Sequence, residues 1–135
     1  MIHPDFIDGF LEGGPFAVVG ASRDRRKYGN KVLRCLLQHG REAYPVNPNA
    51  RSVEGLTSYP DLRSLPQRVH AVSVITPPRV TERIVEDLPG CGAAWVWMQP
   101  GAESADAVAR AERLGLGVIS GGPCILVALG FKDEP

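Results

Sequence analysis

Five short apolar runs alternate with helical stretches along this chain, a rhythm that predicts a doubly wound α/β domain on a five-stranded parallel sheet. Two further observations agree. The runs are continuously apolar rather than alternating, as strands covered on both faces are. Each is joined to the next by a stretch that can hold a crossover helix, which parallel neighbours require. A sheet wound in this way is of Rossmann type.

The elements follow in order. In the first dozen residues Phe6, Phe10 and Leu11 share one helical face, and Gly13-Gly14-Pro15 ends that helix. Residues 16–20, FAVVG, form the first strand. From 28 to 39 the stripe Val32, Leu33, Leu36 and Leu37 marks a helix that stops at Gly40. AYPV at 43–46 is the second strand, closed by Asn47-Pro48 and followed by a loop in which residues 59–66 form one helical turn between prolines. Residues 69–76 are the third strand, and Pro78 opens the next helix, where its missing N–H costs nothing. Val80, Ile84, Val85 and Leu88 are that helix's buried face. Residues 93–98 form the fourth strand, 103–114 an alanine-rich helix, 116–120 the fifth strand, and 123–129 a last short helix. The expectation is one domain over residues 1–135, with 1–14 as a helical lead-in.

Composition narrows the classes of function. Fifteen basic residues balance fifteen acidic ones, so no overall field suggests nucleic acid or a membrane surface as partner. Three cysteines, Cys35, Cys91 and Cys124, lack the spacing of a zinc site or a disulfide framework. The N-terminus carries acids where a secretory signal would be basic, and no apolar run approaches the ~20 residues of a membrane span. A cytoplasmic protein without a metal is expected, with a homo-oligomer or protein partner left open.

In a sheet of this kind ligands bind beyond the carboxyl ends of the strands. The sequence places Gly20-Ala21-Ser22-Arg23 there after the first strand, Asn47-Pro48-Asn49 after the second and Thr76-Pro77-Pro78 after the third. Met98-Gln99-Pro100-Gly101 follows the fourth, and Ser120-Gly121-Gly122-Pro123-Cys124 the fifth. These loops are small and amide-rich, and they hold no general base, so no catalytic residue is assigned. Gly20 allows a tight turn and close approach to a phosphate, with the N–H groups of the next helix behind it. Arg23, Arg25, Arg26 and Lys27 crowd that helix entrance, where cations are unfavourable unless an anion answers them. A solvated loop is the plain alternative; the coincidence with a phosphate turn favours anion binding. The end of the second strand lacks the acid that would accept the ribose hydroxyls of NAD. NADP and coenzyme A, which carry an additional ribose phosphate, both remain open.

The sequence VVGASRDRRKYGNKVLRCLLQHG, followed by YPVNPN, ITPP, WMQPGA and GGPC, resembles the CoA-binding domain family over roughly residues 13–130. This is the nucleotide-binding fold that begins the α subunit of succinyl-CoA synthetase and the ADP-forming acetyl-CoA synthetases, and it also occurs in small stand-alone proteins. The resemblance implies coenzyme A or an acyl-CoA as ligand. Gly20, Ala21 and Ser22, with Arg23, Arg26 and Lys27 and with Tyr28, Gly29 and Asn30 at the helix start, would hold the phosphates. Val46, Asn47 and Pro48 would flank the adenine and ribose. Thr76, Pro77, Pro78 and Val80 would line the path of the pantetheine arm, with Met98, Gln99 and Pro100 near its far end.

The synthetases place a phosphorylated histidine in a second domain, for which this length leaves no room. His3, His39 and His70 do not replace it: one is in the N-terminal tail, one at a helix C-terminus and one at the entrance of a strand. Cys124 would enter a helix; it is weighed as a partner for a CoA thiol against simple packing, as Cys35 is read as core. Trp95 and Trp97 share one strand face and are read as packing. The resulting expectation is a non-catalytic CoA-binding carrier, sensor or regulatory protein. The alternatives are an NADP-binding oxidoreductase or the CoA-binding subunit of a separately encoded acyl-CoA ligase.

Overall fold

A computed structural model describes residues 4–134. Five parallel strands form its sheet: β1 (Phe16–Val19), β2 (Ala43–Val46), β5 (Ala71–Val74), β6 (Trp95–Met98) and β7 (Gly117–Ile119), in the order β2-β1-β5-β6-β7. Two dipeptide strands, β3 (Ser52–Val53) and β4 (Leu56–Thr57), make a separate antiparallel hairpin. The helices are α1 (Pro4–Leu11), α2 (Tyr28–Gln38), α3 (Pro78–Ile84), α4 (Ala105–Arg113) and α5 (Ile125–Leu129). The predicted five-stranded doubly wound α/β fold is the observed one. The predicted strand over 69–76 is trimmed to four residues and the first, fourth and fifth by a residue or two, where the chain bends into loops, while the second keeps its predicted bounds. His3 lies outside the described residues.

The register runs in rows across the sheet, and the two-residue repeat sends alternate rows to opposite faces. Phe16 and Val18 of β1 and Trp95 and Trp97 of β6 face α1, α2 and α5, packing with Phe10, Leu33, Leu36 and Ile125. Ala17, Val19, Val72, Val96 and Met98 face the other way, toward Val85, Leu88, Ala107 and Ala111 on the α3 and α4 side. Large and small residues interlock. A Cβ on Gly117 or Gly9 would sit 2.3 Å from the Trp95 ring, so both positions must be bare for that indole to lie flat. Trp97 is fully buried, stacks edge-on to Phe10 at 5.3 Å, and donates its Nε1–H to the Pro123 carbonyl at 3.0 Å. Both tryptophans are packing residues, as the sequence reading has them. Pro45 is tolerated in β2 because that strand is the sheet edge.

Local chemistry sets the ends. Ser104 caps α4 by accepting the Ala107 N–H at 3.1 Å, and Asp61 caps the turn Leu62–Ser64 by accepting the Ser64 N–H at 2.9 Å. Pro78 stands in the first turn of α3, where it has no N–H to lose. The hairpin β3–β4 is a feature the sequence reading leaves as loop. Its turn is Glu54-Gly55, both with positive φ (50° and 77°), the conformation that two-residue hairpins demand. Glutamate is an unusual occupant of that position, so the sequence carries only a faint cue.

The buried indole is the heaviest single contribution to the face under α1 and α2. Trp97→Ala should cost about 3–5 kcal/mol, the range for emptying a buried aromatic site. Trp95→Ala, at a partly exposed site, should cost clearly less. Urea unfolding of the two variants checks this; equal losses would contradict the packing described.

Candidate functional site

The strand order reverses at β1, which feeds β2 on one side while β5 lies on the other. Loops leaving β1 and β5 therefore diverge, and a crevice opens beyond their carboxyl ends. A cleft of about 740 Å³ occupies that place.

Its floor is the turn after β1. Gly20 has φ +96°, and a Cβ there would come 2.1 Å from the Ile75 carbonyl oxygen. Gly29, in the first turn of α2, matters equally: a Cβ there would lie 1.9 Å from the Gly20 carbonyl oxygen. The helix can therefore approach the strand only because both positions are bare. Lys27 precedes α2 in extended conformation and offers its first turn no side-chain hydrogen bond. The first-turn N–H groups and the positive end of the helix thus remain available beside Lys27 and Gly29 on the cleft wall.

Of the residues expected at a ligand, the structure brings Gly20, Ala21, Ser22, Lys27, Tyr28, Gly29, Val46, Asn47, Pro48, Thr76, Pro77 and Val80 to this cleft. It does not bring the others there. Met98 is fully buried in the core on the α3 and α4 side, Gln99 is buried between elements, and Pro100 and Pro78 are exposed outside the lining. Arg23 and Arg26 also lie outside the lining. Arg26 turns back onto Asp24, bonding its carboxylate at 3.0 and 3.1 Å, while Arg25 meets Glu54 at 3.4 Å. Asn30 is fully buried and turned toward the loop backbone and Glu54. Four cations crowd the sequence, and Lys27 is the one among them on the cleft wall.

Several lining residues were given no ligand role in the sequence reading. Val46 bridges to Tyr59, which swings Pro60, Asp61 and Leu62 to the rim. Ile84 and Asp87 come from α3 and the turn after it, and Asn49 and Ile75 from beside residues already singled out. The Tyr59-to-Pro66 turn was legible, yet nothing in the sequence says that it folds back on β2.

Gln99 organises the rear wall. Its Oε1 accepts from the Tyr28 hydroxyl and from the Ile125 N–H, both at 3.1 Å, and its Nε2 donates to Ser73 Oγ at 3.1 Å. The Tyr28 hydroxyl also contacts Cys124 Sγ. Burial, reinforced by Cys124, pushes the Tyr28 hydroxyl well above its ordinary range, so it stays protonated and donates. Cys124 lies behind Tyr28 and does not line the cleft. Cys35 is buried, and that burial pushes its thiol up to about 11, as befits a core residue. His70 bonds the Gly9 carbonyl and His39 the Cys35 carbonyl, both away from the cleft.

These features agree with comparisons to known proteins. Residues 15–130 match the family model described as a CoA binding domain. The chain belongs to the CoA binding domain family. An ADP-forming acetate–CoA ligase I of Archaeoglobus fulgidus is 32% identical over 76 residues, 56% of this chain and 11% of the ligase. The α subunit of an ADP-forming acetate–CoA ligase II of Pyrococcus furiosus is 30% identical over 82 residues, 59% of this chain and 18% of that subunit. The chain thus matches less than a fifth of either relative's length. Among solved structures, a hypothetical protein of Pyrococcus horikoshii OT3 superposes with TM-score 0.87 at 29% identity, covering 96% of this chain and 92% of that one. A conserved hypothetical protein of Pyrococcus furiosus gives 0.78 at 39% identity, covering 84% and 97%. The dinucleotide-forming acetyl-coenzyme A synthetase 1 of Ca. Korarchaeum cryptofilum gives 0.72 at 28%, covering 89% of this chain and 29% of the synthetase. In this CoA-binding domain no helix of the described residues is long and apolar enough to cross a membrane.

Two outcomes test the site's construction. Gly29→Ala forces a methyl against backbone rather than against a movable side chain, and should destabilise by about 1–3 kcal/mol in urea unfolding. A variant as stable as the parent would refute the close approach. Hydrogen bonding from Arg26 holds the Asp24 carboxyl down to about 2, from an ordinary 3.8. Its native pKa is depressed, so its contribution to loop order is complete above about 3.8 and is lost as pH falls through about 2. An NMR titration should find Asp24 still ionised at pH 3; a midpoint near 4 would show that the Arg26 contact does not persist.

Proposed function

We propose that this domain binds coenzyme A or an acyl-CoA in the cleft beyond β1 and β5, and that it acts as a carrier, sensor or regulatory module rather than by catalysis of its own. The observation that carries the reading is the α2 entrance. A helix start without a side-chain cap, two bare glycines and Lys27 on the wall together make a place for phosphate oxygens. The end of β2 contributes amide and proline from Asn47 and Pro48 and no carboxylate of its own; the cleft's acids, Asp61 and Asp87, come from other segments, and Asp61 accepts from Ser64. Family membership supports the same ligand.

A second reading has an observation of its own. The curated relatives are ligases several times the matched length, one of them a separate α subunit. On that reading the domain supplies the CoA site to a ligase whose catalytic parts lie on another chain, and its partner is that chain.

Thermal unfolding with CoA, dephospho-CoA, NAD and NADP separates the ligands. A ligand at a hundred times its dissociation constant adds about 2.7 kcal/mol. For a domain of this size that raises the midpoint by on the order of 10 °C. CoA should give this shift and NAD none. A clear shift with NADP and none with CoA would overturn the proposal. If Lys27 or Arg23 reads the ribose phosphate, dephospho-CoA should bind more weakly, by about 1.5–3 kcal/mol for a lost charge-assisted bond.

A further inference from the structure

The loop from β1 to α2 has no regular structure, yet side chains from outside hold three of its carbonyl groups. Asn47 Nδ2 donates to the Ala21 carbonyl at 2.8 Å, Asn30 Nδ2 to the Ser22 carbonyl at 2.8 Å, and Arg34 to the Arg25 carbonyl at 2.9 Å. Both amides have a fixed orientation. Flipping an asparagine end for end exchanges its donor and its acceptor. Asn30 cannot flip, because its Oδ1 accepts from Arg34 Nε at 2.6 Å and a guanidinium only donates. Asn47 cannot flip, because its Oδ1 accepts from the Asn49 backbone N–H at 2.8 Å. Arg34 is itself held: it is 4% exposed and bonds Asp133 at 2.8 Å.

In a planar trans peptide the C=O and N–H groups point in opposite directions. The two peptides from Ala21 to Arg23 are trans. Fixing the Ala21 carbonyl to Asn47 therefore turns the Ser22 N–H the other way, and fixing the Ser22 carbonyl to Asn30 does the same to the Arg23 N–H. Neither N–H meets an acceptor among the described residues. Their neighbours differ. The Asp24 N–H is taken by Ser22 Oγ and the Arg26 N–H by the Asp24 carboxylate, both at 3.0 Å. The loop thus takes up the Asp24, Arg26 and Lys27 N–H groups internally, while those of Ser22 and Arg23 stand without an acceptor beside the cleft floor.

We propose that Asn30 and Asn47 are positioning residues that aim the Ser22 and Arg23 N–H groups at the diphosphate of the bound ligand, with Arg34 acting behind Asn30 to fix its amide. This rests on the CoA reading above. It assigns the diphosphate to main-chain donors, since Arg25 and Arg26 are engaged with Glu54 and Asp24.

The test uses the whole chain, isotopically labelled, with CoA, dephospho-CoA and adenosine. The Ser22 and Arg23 amide protons should move downfield with the first two ligands and stay in place with adenosine, which has no phosphate. Asn30→Asp, off the cleft wall, is isosteric and keeps the acceptor toward Arg34, but sets a carboxylate oxygen against the Ser22 carbonyl. Its affinity for dephospho-CoA should fall about ten- to a hundredfold, the effect of losing one charge-assisted bond, while adenosine affinity stays unchanged. A merely structural role would lower both together, and that result would overturn the proposal. CoA binding without movement of the Ser22 and Arg23 amides would overturn it too, leaving the CoA reading intact. Absence of any CoA binding to the parent protein would remove the CoA reading itself, and the proposal with it. Should Asn30→Asp fail to fold, the amide shifts of the parent protein decide.

Discussion

The approach of α2 to β1 is the constraint on which the rest of the site depends. The Gly29 position lies so close to the Gly20 carbonyl that even a methyl group has no room, and Gly20 in turn lies against the Ile75 carbonyl. Three backbone segments are thereby stacked at the point where the strand order reverses. The helix start is brought to the strand end, its N–H groups reach the crevice, and the loop between them must bulge outward. The bulge is where Arg23, Arg25 and Arg26 lie, and it explains why they crowd the entrance in sequence yet leave the cleft wall to Lys27.

The spacing of the glycines gains a physical meaning from this. Ser22 stands where a dinucleotide fingerprint would have its second glycine, and Gly29 stands well beyond the usual position of the third. The helix–strand packing role of that last glycine is nevertheless filled, by Gly29, after a longer loop. A longer loop has more peptide groups to satisfy. Asp24, Asn30, Asn47 and Arg34 each take one of them, and each is a polar residue whose side chain turns back on the loop. Asn30 and Arg34 are buried because they serve the loop from beneath, inside α2.

The fold was legible because its signals are local: apolar runs such as FAVV and AVSV, glycine and proline stops, and a helical stripe in α2. The β1 loop was legible for the same reason. What escaped was set by distant contacts. Glu-Gly at 54–55 gives little warning of a hairpin, and Asp61 and Asp87 reach the cleft through the Tyr59 bridge and the turn after α3. Gln99 follows a strand end and so invited a ligand role, but its amide is consumed by Tyr28, Ile125 and Ser73. A strand-end position places a residue near the site; only the partners of its side chain decide whether it faces the ligand or the wall.

The small hairpin has an evolutionary consequence. Surface connections ordinarily accept inserted residues at little cost. Here the two dipeptide strands hold Glu54 at a fixed distance from the sheet edge, where it meets both Arg25 and the Asn30 amide. One residue more or less would change the register and carry the carboxylate away from both partners. The segment behaves as a gauge of length rather than a spacer, and its tolerance to insertion should resemble that of a core element despite its position on the outside of the molecule.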